Sequence, residues 1–361
     1  MWFTLLFAVA VCIAVLYVPG YLVGRSLSFE RTVSLAVAPA FSLLALVILG
    51  VAFRMAGISC HALVLAGSAG AIGLIAFGLA YGIRRKSTPA TAALPLNEPE
   101  KSRGRHAAPI NATPETDSAP SSRFTWQAFA LYAGVALVVT AFVFLTAIDG
   151  FDSFARKDDT TVHLSIVRAF LDTGTYSTLN SGSFVDQGTA EAYYPSAWHI
   201  VVAIAASCVG GEVAVATNAA TLAFTVAVLP LGMCLLLRTV FPNRREVVLA
   251  GSLFAVSFAI LPWGFLTKGQ LLPNMAAFAL IPAAIALFIS AIEANRRGER
   301  AQCAVGAVLA LASIALCQPN GAFTCVIGMA SYALCRIFRS PDDERATVTP
   351  KKIACAAGLA A

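Results

Sequence analysis

Runs of roughly twenty apolar residues, separated by short polar turns, leave this chain few ways to fold. At 1.5 Å per residue, twenty such residues reach across a bilayer core of about 30 Å. The runs are residues 2–23, 33–53, 62–83, 124–148, 213–237, 247–266, 271–292, 301–317 and 322–337. Charged residues make up only 12% of the chain, against about 25% in an average soluble domain. Mean hydropathy is +0.77. The pattern predicts an all-α, polytopic transmembrane helical bundle with nine complete spans. The ending KKIACAAGLAA reads as the start of a tenth, which implies a native chain continuing beyond Ala361.

The net charge of +6 does not point to nucleic acid, because Lys and Arg sit in short clusters between apolar runs. Cytoplasmic loops of membrane proteins have this form. Positive charge follows the first run, at Arg25 and Arg31, which predicts an uncleaved span with its N-terminus outside. The run 197–209 spans only about 20 Å and is too short to cross. If it does not cross, Arg84, Arg85, Lys86, Arg238, Arg244, Arg245, Arg296, Arg297, Arg300, Arg336 and Arg339 all fall inside. It is therefore read as a helix lying at, or dipping into, the outer interface.

Residues 84–123 carry six prolines among Ala, Ser, Thr and Glu, too few large apolar groups to offset ordering entropy. They read as a disordered cytoplasmic linker between a three-span N-terminal unit, residues 1–83, and a core, residues 124–361. That placement discounts the sequon Asn111-Ala-Thr113 as a glycosylation site. Gly67, Gly70, Gly73 and Gly78 in the third run suggest close helix packing. Of nine cysteines, eight lie in or beside apolar runs and none forms a CxxC pair. Neither a disulfide framework nor a zinc site is expected.

The polar exception is Asp149 to His199. It carries seven acids, including Asp158 and Asp159, against Arg156, Lys157 and Arg168. Asp159 and His163 are spaced i, i+4 and share one helical face, while Leu164, Val167, Phe170 and Leu171 line another. This predicts an amphipathic helix along a membrane surface. A turn-rich TGTYSTLNSGS follows, then YYPSAWH with Tyr193, Tyr194, Trp198 and His199. Taken alone, such a loop could also be a solvated surface with aromatic interface anchors.

The order of these parts resembles the GT-C superfamily of polyprenyl-phosphate-sugar-dependent glycosyltransferases, including the actinobacterial arabinosyl- and mannosyltransferases. Asp158-Asp159 matches the acidic motif of their first external loop, and His163 to Gly174 matches the first juxtamembrane helix. Tyr194-Pro195 with residues 197–209 matches the second, and Leu229-Pro230 followed by FPNRR matches the next part of the core. The likeness covers about residues 124–292. It implies a GT-C-like core that takes a polyprenyl-phosphate sugar and a glycan, lipid or protein acceptor, on the external face of the cell membrane. The loop after Leu266 reads TKGQLLPN and lacks the second acidic pair of oligosaccharyltransferases. A divalent metal is therefore left open rather than implied.

Sugar transfer needs a base for the acceptor hydroxyl, and a carboxylate in a partly desolvated pocket suits that task. Asp159 is the expected base, with Asp158 and His163 beside it. The leaving phosphate needs a cation. Lys268 is the candidate, with snorkelling to the interface as its other reading. Tyr193, Tyr194, Trp198, His199, Gln270 and Asn274 are the expected substrate-binding residues. Gln270, Asn274, Gln318 and Asn320 could bind sugar hydroxyls or cap helix ends. The rival readings are a transporter or flippase of lipid-linked glycans and a noncatalytic envelope scaffold. A transporter would want ionisable or broken-helix features at mid-membrane.

Overall fold

The computed structural model describes residues 2–87, 122–154, 158–184, 192–267 and 269–338, excepting the side chains of 86, 87, 122, 123 and 158. The linker expected at 84–123 and the start of a tenth span lie mostly or wholly outside the described residues. Those described form an all-α bundle. Eight helical stretches are long and apolar enough to cross a membrane, so this is a multi-pass membrane protein.

Three long helices open the chain: α1 (Trp2–Ser26), α2 (Arg31–Met55) and α3 (Ala62–Ser87). The α1–α2 contact is the most intimate. The Gly20 amide donates to Ser42 Oγ at 2.7 Å, and only a residue without Cβ lets the two backbones come so close. The expected glycine packing on α3 is corrected. A Cβ at Gly73 would meet the Pro19 carbonyl at 3.0 Å, but Gly67, Gly70 and Gly78 face open space. Spacing along one helix cannot say which face a neighbour takes.

After the linker come α4 (Ser122–Ala147), α5 (Asp158–Thr173), α6 (Ala197–Cys208), α7 (Val213–Ala223) and α8 (Leu229–Val240). The last two form one stretch, Val213–Val240, joined by a π turn at Phe224–Val228. Pro230 lacks an N–H and cannot close a normal α turn, which accounts for the widening.

The sixth predicted span is corrected. Residues 247–266 are not one helix but α9 (Arg245–Gly251), a run of turns, and α10 (Trp263–Thr267). Pro262 removes a donor and turns Leu261 away from helical geometry. Ser252 and Ser257 hydroxyls donate to nearby backbone carbonyls, at Leu249 and Leu253, and Trp263 Nε1 donates to the Val256 carbonyl at 2.7 Å. The segment still runs alongside α4. Tyr132 Oη donates to the Val248 carbonyl at 2.7 Å, while Trp263 and Leu266 share a cavity with Val143, Phe144 and Ala147 at the other end. The segment runs the length of α4 with its middle unwound.

The remaining helices are α11 (Leu272–Glu293), α12 (Arg297–Cys317) and α13 (Pro319–Phe338). The run 197–209 forms α6, whose surroundings are protein. Every residue from Ala197 to Ala206 is buried, and α6 packs against α1, α2, α3, α5, α7, α11 and α12. It is enclosed by helices rather than resting on their surface, as a helix apolar all round demands. The N-terminal helices thus wrap the same centre as the core helices.

Candidate functional site

The site is built where α5 meets α6. Asp158 and Asp159 open α5, where carboxylates favour the helix N-terminus. Ile166, Val167 and Phe170 form its buried face, and that face docks on α6 and α7. The helix therefore rests on protein rather than along a lipid surface, correcting the amphipathic-surface expectation. Its exposed face carries Arg168 and Asp172, paired at 3.3 Å, an exposed i, i+4 pair worth little to stability.

His163 turns inward with the apolar face and is buried. Its Nδ1 lies 3.1 Å from Nε2 of His199 on α6. At that distance one ring supplies an N–H and the other a lone pair, so the two rings cannot both be protonated. Burial pushes the His163 imidazolium down to about 4, partly offset by the Asp159 carboxylate. Burial, and then the facing His163 ring, hold His199 well below the usual histidine range, while the Pro195 carbonyl acts in the opposite sense. Nδ1 of His199 makes no hydrogen bond of normal geometry with a described residue.

Tyr194 and Trp198 complete the ring cluster, with centroids 6.2 and 6.0 Å from His163. The return strand is stapled to the preceding turn. The Tyr194 amide donates to the Thr178 carbonyl at 3.0 Å, and its own carbonyl accepts from Thr178 Oγ1 and Ser181 Oγ at 2.5 and 2.8 Å. Burial and then the Asp159 charge raise the Tyr194 hydroxyl above the usual tyrosine range. Trp198 and His199 are shut off from solvent, whereas Tyr193 is exposed.

Asp159 is exposed, not enclosed in the desolvated pocket expected for it. The loop between α10 and α11 returns to it. A Cβ on Gly269 would stand 3.9 Å from Asp159 Oδ2, and Thr160 Oγ1 donates to Gln270 Oε1 at 2.8 Å. Gln270 holds a left-handed φ of 49°, uncommon for a residue with Cβ. Asn274 is buried in the first turn of α11, its Oδ1 without a partner among the described residues. Gln318 is the C-cap position of α12. Lys268 and the Asp158 side chain lie outside the described residues.

Beside Gln270 opens a cavity of about 380 Å³, with an apolar lining from Phe144, Trp263 and Leu266 and a polar one from Asp149, Asn218 and Gln270. Its volume suits a small organic ligand. Asn218 Nδ2 donates to the carbonyls of Phe151 and Ser153 at 2.9 and 2.8 Å, fixing the chain where it leaves α4. Asn218 and Thr217 are not among the expected residues, although a polar pair inside an apolar run is a signal of function.

The described residues contain no group of three metal-ligating side chains, and the two imidazoles are bonded to each other rather than splayed toward a common point.

The neutral histidine pair makes stability depend on pH. Both imidazoles bind protons less readily folded than unfolded, where the usual value is about 6.5. Stability is therefore full above pH 6.5 and falls as pH drops toward about 4. For His163 alone the loss is on the order of 3 kcal/mol. Thermal unfolding in detergent at pH 7.5 and 4.5 measures it, and a His163→Gln/His199→Gln double variant should show a flatter pH dependence. An equal acid loss in that variant would exclude the pair as its source.

Fold and site define a multi-pass helical membrane protein with a buried histidine pair beside an exposed carboxylate. The chain belongs to a family of unknown function, DUF6541, whose model matches residues 13–361. No curated protein and no solved structure matches it.

Proposed function

We propose that the protein is a membrane glycosyltransferase that moves a sugar from a polyprenyl-phosphate donor to a cell-envelope acceptor outside the cytoplasm. The observation that carries this reading is the meeting of Asp159, the His163–His199 pair and the Gln270 loop beside an apolar-lined cavity. In this reading Asp159 takes the proton from the acceptor hydroxyl as its oxygen bonds to the sugar C1. The C1–O bond to phosphate breaks, and the lipid phosphate leaves with the electron pair. Lys268 is the proposed cation for that phosphate, and Gln270, Asn274 and Asn218 the proposed partners of hydroxyl groups. Transfer of radiolabelled sugar from polyprenyl phosphate in membranes tests the reading.

The proposed orientation puts the N-terminus and the 149–198 segment outside, with the 84–123 segment and Asn243 inside. Support comes from the basic residues gathered at the opposite end of the bundle. Arg84 there donates to the carbonyls of Arg25 and Ser26 at 3.1 and 2.6 Å, and Arg336 pairs with Glu293 at 2.7 Å. In a cysteine-depleted background, an impermeant thiol reagent should label Ser183→Cys in intact cells and spare Asn243→Cys. Equal labelling of both would overturn this orientation.

A second reading, transport of a lipid-linked glycan, draws on the unwound traverse between α9 and α10, since transporters build sites from discontinuous helices. Movement of labelled lipid-linked sugar across proteoliposomes, without transfer to an acceptor, would favour it.

A further inference from the structure

A second cavity, of about 600 Å³, opens at the end of the bundle opposite the histidine pair. It is walled by the α1–α2 turn, the end of α8, the last turns of α11 and the start of α12. From Leu272 beside the first cavity to Ala286 beside this one, α11 rises about 20 Å. The two are therefore separate sites.

Its walls are held by arginines whose guanidinium groups are committed to backbone. Arg25 donates to the Phe29 carbonyl, Arg84 to those of Arg25 and Ser26, and Arg300 to that of Ala294 at 2.8 Å. The Phe29 ring is wedged against α12, where a Cβ at Gly306 would meet it at 2.7 Å. By contrast, the four charged residues lining the cavity, Arg238, Arg296, Glu30 and Glu299, form no direct ion pair with a described residue. Arg238 is half-buried, with Nε closed off from water and no hydrogen-bond partner among the described residues. A buried guanidinium N–H left unpaired is costly, and a planar fork matches phosphate geometry. Glu30 holds the N-cap position of α2 but makes no cap bond.

We infer that this cavity binds a phosphate ester whose neighbouring group donates hydrogen bonds, such as a phosphoethanolamine head group. Arg238 and Arg296 take the phosphate, and Glu30 and Glu299 take the ammonium. Two acids facing two arginines disfavour a simple anion and favour a zwitterion. Leu235, Leu287 and Val33 in the same wall suit the apolar end of such a molecule.

Native mass spectrometry of the delipidated protein in detergent tests this, using short-chain phosphatidylethanolamine, phosphatidylcholine, phosphatidylglycerol and free O-phosphoethanolamine as probes. The ethanolamine lipid should bind at least about tenfold tighter than the choline lipid, which has no N–H donor. Arg296→Ala and Arg238→Gln should each weaken it about tenfold or more. Glu30→Gln/Glu299→Gln should erase the ethanolamine preference while the phosphate still binds. Arg296 and Glu299 are exposed, so their variants keep the test valid should Arg238→Gln fail to fold. Binding of free O-phosphoethanolamine with the same variant pattern would support the site with a soluble ligand as its source, and binding of the lipid alone with a membrane source. Indifference to head group, preference for phosphatidylglycerol, or binding unchanged in all the variants would overturn the inference.

Discussion

Asp159→Asn is expected to insert and fold normally yet lose sugar transfer by about 10²-fold or more, the usual contribution of a positioned base. Asparagine keeps the size and some hydrogen bonding but cannot take a proton. Asp159 opens α5 one turn before His163, close enough for its charge to act on both His163 and Tyr194, and Gly269 approaches its carboxylate. Asp158 lacks the i, i+4 spacing to His163, so Asp158→Asn should be milder. The measurement is label transfer from polyprenyl phosphate in membranes with matched protein levels. A normal rate in Asp159→Asn would remove it as the base. Normal rates in both variants would sink the enzyme reading and leave the transporter or scaffold.

Gly20→Ala should destabilise the bundle by about 3 kcal/mol or more, at or above the upper end of ordinary overpacking. Its Cβ would stand 1.9 Å from the Ala38 carbonyl oxygen. That neighbour is backbone inside α2, which has no rotamer with which to yield. The helices must part, and the Gly20–Ser42 hydrogen bond is lost with them. Gly70→Ala is the control. Nothing lies within 4 Å of its Cβ, so the change should be neutral or gain up to about 1 kcal/mol of helix propensity. Thermal unfolding of the two variants in one detergent separates them. Equal midpoints would show that α1 and α2 do not pack this closely.

Some of the site was legible before any coordinates. The i, i+4 spacing of Asp159 and His163 follows from helical geometry, and the acids at the head of α5 follow from the helix dipole. What joins them to the rest was not. His163 meets His199 across 36 residues, and Thr160 meets Gln270 across 110. No local pattern encodes such pairings, because they depend on how whole helices stack. Asn218 was readable as a polar residue in an apolar run, but not its task of holding the Phe151 and Ser153 carbonyls.

The sequence by itself determined that the chain is a bundle of membrane-spanning helices, because length and apolarity are set against a bilayer of known thickness. Two matters were left to the tertiary structure. Residues 197–208 are apolar on every side, and lipid and packed helices are about equally apolar environments, so composition could not tell the bilayer interface from the bundle centre that α6 occupies. Residues 247–266 are apolar enough for a span, yet Pro262 supplies no N–H, and the serine hydroxyls and the Trp263 indole donate to backbone carbonyls there. Apolarity measures the cost of leaving lipid. Whether a backbone stays helical there depends on what its neighbours offer to its carbonyls and amides.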